Sequence, residues 1–140
     1  MSSYAGDITP QQACEMLTSN PDARLVDVRT DAEWRFVGVP DTAPTGKETL
    51  FIEWVSYPGG ERNHDFVAHL KEQGIEPGSE APVIFLCRSG QRSIGAAVAA
   101  TEAQMGPAYN ILEGFEGATD EHGHRGAQGW RAAGLPWRQG

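Results

Sequence analysis

This sequence is poor in cysteine and in basic residues, and it has no long apolar stretch. Its 140 residues include only two cysteines, Cys14 and Cys87, so a disulfide framework is not expected. The 11 lysines and arginines are outnumbered by 19 aspartates and glutamates, and the formal net charge of -8 disfavours nucleic acid and anionic membranes as partners. No apolar run reaches the length of a membrane span, and the first residues lack a signal-peptide pattern. We therefore expect a cytoplasmic protein with free thiols.

The length and the alternation of segments predict the fold class. With 140 residues and 39% hydrophobic content, the chain can bury one core but not two, so residues 1–140 are expected to form a single domain. Strand-like runs at residues 6–8, 24–28, 49–54, 83–86 and 108–112 alternate with helical patterns at 9–17, 31–36, 64–73, 93–105 and 130–133. This order predicts an α/β fold with a mainly parallel central sheet, helices on both faces, and a site at the carboxyl ends of the strands.

Residues 82–105 carry the strongest functional signal. Residues 83–86 form a continuous apolar run typical of a strand buried on both faces, and Cys87 follows it directly. Polar residues and a glycine come next, and then an alanine-rich helical pattern for which Ser93 is the predicted N-cap. The stretch therefore indicates a strand, a tight loop and a helix, with a cysteine at the start of the loop.

This arrangement suits a cysteine nucleophile. The backbone N–H groups of such a loop converge, and a helix N-terminus adds positive potential, so the Cys87 thiol is expected to ionise readily. Arg88 and Arg92 place two cations in the same loop, which favours an anionic substrate. A lone cysteine after a core strand is more often a small buried hydrophobe. The two arginines and the glycine beside it favour the catalytic interpretation instead.

Several segments resemble the single-domain rhodanese-like sulfurtransferases. C-R-S-G-Q-R-S at residues 87–93 resembles the family's active-site loop, and L-V-D-V-R at residues 25–29 resembles its second strand. Residues 108–114 and 134–136 resemble its closing segments. Residues 33–41 depart from the family, because the common Gly-His-Ile-Pro-Gly-Ala pattern is replaced by a shorter segment without histidine.

The resemblance implies an enzyme that moves sulfane sulfur through a persulfide on Cys87. A small anionic donor such as thiosulfate would supply the sulfur, and a thiol, cyanide or a sulfur-carrier protein would accept it. No metal or organic cofactor is implied, and the sequence does not indicate an oligomeric state. The substrate-binding residues implied by the loop are Arg88, Ser89, Gly90, Gln91, Arg92 and Ser93.

Two other functional interpretations stay open. A cysteine-dependent phosphatase or arsenate reductase would use a Cys-x5-Arg loop, whereas this loop reads Cys-x4-Arg, with Ser93 at the position where that arginine would fall. A non-catalytic rhodanese-like module that carries sulfur or binds a partner would also keep Cys87. Loop length favours sulfur chemistry, and only turnover separates an enzyme from a carrier.

Residues outside the loop give further candidates. Trp54, Tyr57 and Arg62 lie in or before a loop that follows a predicted parallel strand, so they are possible walls of the site. Asp27 and Arg29 at the end of the second strand are expected to give structural support. In that interpretation Arg29 pairs with Glu33, and Asp27 accepts loop N–H groups.

The second cysteine and a histidine pair carry weaker signals. Cys14 could act as a resolving thiol for Cys87, but a core position on the first helix is favoured. His122 and His124 could hold a metal with Asp120, but they fall short of a full ligand set. We expect that segment to be a connection, and no metal site.

Overall fold

A computed structural model describes residues 4–55, 61–78, 80–88, 90–117, 121–124 and 128–139. Among these residues, the strands are β1 (Gly6–Ile8), β2 (Arg24–Asp27), β3 (Val39–Pro40), β4 (Leu50–Phe51), β5 (Val83–Leu86), β6 (Ala108–Ile111) and β7 (Trp137–Arg138). Five of them form a parallel sheet in the order β1-β6-β5-β2-β4. β3 and β7 form a separate antiparallel pair. The predicted α/β fold with a mainly parallel sheet is confirmed.

Helices cover both faces of the sheet. They are α1 (Pro10–Ser19), α2 (Asp31–Phe36), α3 (Phe66–Glu72) and α4 (Arg92–Glu102), with a short 3-10 turn at Ala43–Thr45. On one face, α1 packs its buried Ala13 and Leu17 with apolar residues of β2, β5 and β6. On the other face, Phe66 and Leu70 of α3 pack with the alanines of α4 and the alternate residues of the same strands. The strands therefore have two buried faces, as their continuous apolar runs predict.

The two central strands determine where the site lies. β2 and β5 run parallel in a register that places Arg24 opposite Val83 and Asp27 opposite Leu86. Both strands therefore end at the same edge of the sheet, and Cys87 leaves it beside Val28, whose N–H donates to the carbonyl of Leu86. This is the edge at which open α/β sheets bind their ligands.

Local sequence explains the starts of two helices. Thr9 caps α1 through a reciprocal pair of hydrogen bonds with Gln12, and Pro10 occupies its first position. Thr30 and Glu33 form the same capping box at the start of α2. The Thr9 cap and the bounds of α2 agree with the sequence-based prediction.

Three predicted elements are shorter or different. β4 has only two residues, although Ile52 and Trp54 still donate backbone hydrogen bonds to Asp27 and Val28. α3 begins at Phe66 because Asn63 and Asp65 form a hydrogen-bonded turn before it. Residues 130–133 keep the predicted helical turn, in which the Ala133 N–H donates to the carbonyl of Gly129 at 3.0 Å, and they form no longer regular helix. In the part of the chain that the structure describes, no helix is both long enough and apolar enough to cross a bilayer.

Candidate active site

Cys87 lies at the floor of the site, immediately after β5. Its side chain is buried, with 1% of the residue exposed. The carbonyl oxygen of Cys87 accepts the N–H of Phe115 at 2.8 Å, and that of Arg88 accepts the N–H of Glu116 at 2.9 Å. The loop is thus fastened to the segment after β6, which leaves the sulfur in a fixed and nearly enclosed position.

Two hydrogen-bond donors face the sulfur. The N–H of Gly90 lies 3.1 Å from Cys87 Sγ, and Ser93 Oγ lies 3.2 Å from it. Gly90 has φ of +94°, and a Cβ at this position would approach the backbone of Ile111 and Glu113 to 3.2 Å. The glycine therefore lets the loop turn its N–H toward the sulfur while it lies against the neighbouring segment.

The predicted helix cap at Ser93 is wrong. α4 begins at Arg92, and its N-cap is Gln91, which makes no side-chain capping bond. Ser93 lies inside the first turn of the helix and is fully buried. Its hydroxyl faces the sulfur and Asn110, so it does not cap the helix N–H groups. A buried hydroxyl keeps its hydrogen bonds with the groups that enclose it, and here those groups belong to the site.

Arg92 is tied to α2 by an ion pair. Its guanidinium donates to Glu33 Oε1 at 2.8 Å and to Oε2 at 2.9 Å. Burial opposes the charge of both groups, but their hydrogen bonds and mutual attraction outweigh it, so the pKa of Glu33 is lowered and that of Arg92 is raised. An anion at Cys87 would likewise favour the charged form of Arg92 and so raise its pKa. Arg92 therefore remains cationic near the sulfur.

The predicted pairing of Arg29 with Glu33 is wrong. Arg29 instead binds Asp27 through Nε and Nη2, with a shortest contact of 2.7 Å, and both side chains are fully buried. The same Nη2 donates to the carbonyl of Gly38 at 2.7 Å, and the guanidinium lies 4.3 Å from the ring centroid of Phe115. Asp27 accepts the N–H of Arg29, so its predicted bonding to loop N–H groups is found. The pair joins three segments beneath the site, which agrees with a structural role.

Asn110 is a polar residue that the sequence analysis missed. It is buried on β6, where its Oδ1 contacts Ser93 Oγ. Its Nδ2 lies 3.0 Å from Asp7 Oδ1 and 3.2 Å from the carbonyl oxygen of Gly90. A polar residue in the apolar run of residues 108–112, one strand away from Cys87, is the signal that could have identified it.

The residues of the loop differ in how far they are exposed to solvent. Arg88 and Gln91 are exposed, whereas Gly90 and Ser93 are buried and Arg92 is partly buried. Arg88 is thus the accessible cation of the loop among the residues described. Ser89 lies outside the described residues.

The predicted wall residues belong to the packing on the α4 side. The Trp54 indole lies against Gly95 of α4, where an added Cβ would come within 3.0 Å of the ring. It also contacts Phe66 edge to face, with centroids 5.1 Å apart, and the Arg62 guanidinium lies 4.5 Å from its centroid. Trp54 and Arg62 therefore approach the helix that follows the loop. Tyr57 lies outside the described residues.

Three other features of the described residues are weaker candidates. A cavity of about 570 Å³ lies at the opposite edge of the sheet, where Arg24 and Val83 begin their strands. Cys14 is partly buried on α1 and packs against the apolar residues of that face. His122 and His124 have ring centroids 6.4 Å apart, and Asp120 lies outside the described residues. The described residues contain no cluster of three or more potential metal ligands.

Comparison with known proteins identifies the family. A sequence profile described as "Rhodanese-like domain" matches residues 9–121, most of the chain. The chain belongs to the rhodanese-like domain family. A Rickettsia rickettsii relative, "Uncharacterized protein RP600 homolog", is 38% identical over 132 residues, which cover 94% of this chain and 96% of that protein. The rhodanese-like assignment therefore covers the loop, the central strands and α1 to α4.

Two solved structures resemble this rhodanese-like chain. The crystal structure of Rv0390 from M. tuberculosis has a TM-score of 0.90 and 62% sequence identity, and the match covers 99% of this chain and 100% of that one. The solution structure of the polysulfide-sulfur transferase homodimer from Wolinella succinogenes has a TM-score of 0.64 and 24% identity, over 96% and 78% of the two chains. The second likeness supports the fold alone.

Proposed function

We propose that this rhodanese-like protein is a sulfurtransferase. It takes sulfane sulfur from thiosulfate or a similar anionic donor, holds it as a persulfide on Cys87, and passes it to a thiophilic acceptor. The observation that carries the proposal is the placement of two donors, the Gly90 N–H and the Ser93 hydroxyl, at 3.1 and 3.2 Å from the sulfur. Donors held in place around a sulfur stabilise a thiolate and a terminal persulfide for the same electrostatic reason.

The chemistry is a double displacement. The Cys87 thiolate attacks the outer sulfur of thiosulfate, a sulfur–sulfur bond forms to Cys87, and the donor's own sulfur–sulfur bond breaks with its electrons leaving on sulfite. The product on the enzyme is a persulfide anion. An acceptor thiolate or cyanide then attacks the terminal sulfur, which departs with the acceptor while the electrons of the broken bond restore the Cys87 thiolate. Charge and atoms balance in both steps, and no oxidant is needed.

The two arginines have different roles in this proposal. Arg88 is exposed and able to contact an arriving anion. Arg92 already uses both terminal nitrogens on Glu33, so it contributes positive potential and holds the loop against α2 rather than clamping the donor. The net charge of the chain is -8, whereas the loop carries two arginines. The loop is therefore a local region of positive charge that attracts anions on an acidic protein.

The acceptor is proposed only by class. A cellular thiol, cyanide or a sulfur-carrier protein would all attack a persulfide, and a cytoplasmic setting would keep Cys87 reduced. Polysulfide, the substrate class in the name of the Wolinella protein, is also an anion that carries sulfane sulfur, and it is the second donor to test.

The deciding experiment is intact mass spectrometry after incubation with thiosulfate. The wild-type protein should gain one sulfur atom and lose it again on addition of cyanide, while Cys87→Ser should gain none. A wild-type protein whose mass does not change with thiosulfate or with polysulfide would refute the proposed reaction. Formation of a persulfide that no acceptor discharges would instead indicate a sulfur carrier.

The phosphatase alternative is tested with the same two proteins. The Cys-x4-Arg loop is one residue shorter than Cys-x5-Arg, and it is not expected to enclose a phosphoryl group with its equatorial oxygens. Wild-type protein should therefore transfer sulfur and leave an aryl phosphate intact. Hydrolysis of that phosphate by wild type, abolished in Cys87→Ser, would replace sulfur transfer by phosphoryl chemistry.

A further inference from the structure

The Ser93 hydroxyl lies between two acceptors. Its oxygen is 3.2 Å from Cys87 Sγ and also contacts Asn110 Oδ1. Ser93 is fully buried and Asn110 is 1% exposed, so both side chains are limited to the partners that enclose them. A hydroxyl carries a single proton, and it therefore donates to either the sulfur or the amide oxygen, but not to both.

The orientation of the Asn110 amide is fixed by its other neighbours. Its Nδ2 faces the Asp7 carboxylate at 3.0 Å and the carbonyl oxygen of Gly90 at 3.2 Å, and both of these groups only accept. Reversing the amide would place its oxygen against two acceptors. Asn110 must therefore present Oδ1 to Ser93, where it is a permanent competitor for the hydroxyl proton.

The protonation state of Cys87 determines whether the Ser93 hydroxyl donates its hydrogen bond to the sulfur or to Asn110 Oδ1. When Cys87 is a thiol, its S–H donates to Ser93 Oγ and the Ser93 proton goes to Asn110, so every group has a partner. When Cys87 is a thiolate, the sulfur only accepts. The Gly90 N–H still donates to it, and Ser93 becomes the second donor only by turning away from Asn110. The buried Oδ1 then loses its hydrogen bond, which is an unfavourable change.

We propose that Asn110 is a positioning residue that controls, through the Ser93 hydroxyl, how readily Cys87 forms its reactive anion. The thiol proton leaves to solvent, while Ser93 keeps its own proton and only rotates. The proposal rests on Cys87 being the nucleophile of the proposed function, but it does not depend on the identity of the sulfur donor.

Charged groups around the sulfur set a common background for this effect. They are Arg88 in the loop, Arg92 on α4, Glu33 on α2, the Asp27 and Arg29 pair at the end of β2, and Asp7 on β1. A neutral substitution at residue 110 changes the charge of none of them, although it removes the hydrogen bond to Asp7 Oδ1, and it does so whether or not the Ser93 hydroxyl is present. A change in Cys87 reactivity that requires the Ser93 hydroxyl therefore reports the hydrogen bond of that hydroxyl. A change in electrostatic potential would alter the reactivity with or without the hydroxyl.

The test measures the pH dependence of Cys87 alkylation by iodoacetamide in a Cys14→Ser background. Ser93→Ala should raise the midpoint pH of alkylation and slow the reaction about three- to tenfold at a pH below that midpoint, because the thiolate loses a donor. Asn110→Leu, which is similar in size but has no polar atoms, should lower the midpoint and speed alkylation about threefold. In the Ser93→Ala background, Asn110→Leu should produce no such gain.

The outcomes separate a hydroxyl effect from a structural one. If Asn110→Leu changes alkylation equally with and without Ser93, or slows it in both, Asn110 only supports the loop and the proposal is wrong. Asn110→Ala, which introduces no branched side chain, is the second variant if the leucine protein does not fold, and the same dependence on Ser93 is required of it. Alkylation uses no sulfur donor, so a Ser93-dependent shift without persulfide formation would overturn the donor assignment and leave this inference standing.

Discussion

Arg92 and Glu33 form a two-point ion pair across 59 residues of sequence, with nitrogen to oxygen distances of 2.8 and 2.9 Å. Arg92, in the loop of the candidate site, is thus already bound to a carboxylate before any ligand arrives. Glu33 also closes the cap of α2 by accepting from Thr30 at 3.1 Å. One carboxylate therefore fixes both the start of a helix and the position of the loop, so its loss should be felt in both stability and activity.

Glu33→Gln should destabilise the protein in a pH-dependent way. The folded pKa of Glu33 lies below its ordinary value of 4.5, so its contribution is complete above that value and is lost as the pH falls through the folded pKa. At neutral pH we expect a loss of about 1 to 3 kcal/mol in unfolding free energy, reduced from that of a fully buried charge pair because the pair is partly exposed. Denaturant unfolding at several pH values measures it.

The control for this variant is Glu15→Gln, since Glu15 is an exposed residue of α1. It should leave the unfolding free energy nearly unchanged. A difference between wild type and Glu33→Gln that stays constant from about pH 3 to 7 would show that the ion pair does not supply the stability assigned to it.

Cys87→Ser should abolish sulfur transfer without unfolding the protein. Serine is close to cysteine in size, but its hydroxyl does not ionise near neutral pH, so neither half-reaction proceeds. The loss should exceed about a thousandfold in a thiosulfate to cyanide assay. Cys14→Ser, at a partly buried position on α1, is the matched control and should keep its activity. Comparable losses in the two variants would contradict a single nucleophile.

Arg88→Ala and Arg92→Ala should differ in their donor dependence. Removing the exposed Arg88 should weaken use of a charged donor, by about 1.5 to 3 kcal/mol if the contact is direct, and affect a neutral donor less. Removing Arg92 should lower activity with both donors, because it releases the loop from Glu33. Steady-state kinetics with thiosulfate and with a neutral sulfur source separate the two patterns. Arg35→Ala, at an exposed ion pair on α2, controls for net charge.

Gly114→Ala should be strongly destabilising and should displace the loop. Gly114 has φ of +59°, and an added Cβ would overlap the backbone of Cys87 and lie 2.6 Å from the carbonyl carbon of Arg88. Overpacking and backbone strain together should cost about 2 to 4 kcal/mol. Gly78→Ala is the control, because Gly78 also has positive φ, at +85°, but an added Cβ there meets nothing within 4 Å. Equal losses in thermal unfolding would assign the effect to backbone conformation alone.

The sequence predicted the parts of this molecule that depend on neighbouring residues. The apolar run of β5, the loop after Cys87 and the cap at Thr9 follow from local hydrophobic patterns and backbone preferences. The strand predicted at residues 49–54 is longer than β4, because the chain beyond Phe51 does not continue the regular strand pairing. Local patterns therefore placed Cys87 correctly at the carboxyl end of β5.

Local sequence patterns do not predict which distant polar residues form ion pairs and hydrogen bonds with each other. The sequence favours a pair between Arg29 and Glu33 across the turn that follows the strand, yet the fold pairs Arg29 with Asp27 and Glu33 with Arg92. Ser93 was read as a helix cap because its neighbours along the chain suggest one, whereas its partners come from the strand bearing Asn110. Which of several polar groups meet is decided by the packing of distant segments, and local sequence patterns do not reveal it.

The chain from Asp7 through Asn110 to the sulfur has a consequence for how the molecule assembles. Asp7 and Asn110 are separated by 103 residues, so their hydrogen bond forms only after most of the chain has been brought together. Closing such a loop is entropically costly and slow compared with forming a helix or a turn. We therefore expect Cys87 to become enclosed late in refolding. In a Cys14→Ser background, rapid labelling of the remaining thiol during refolding would time the completion of the native structure.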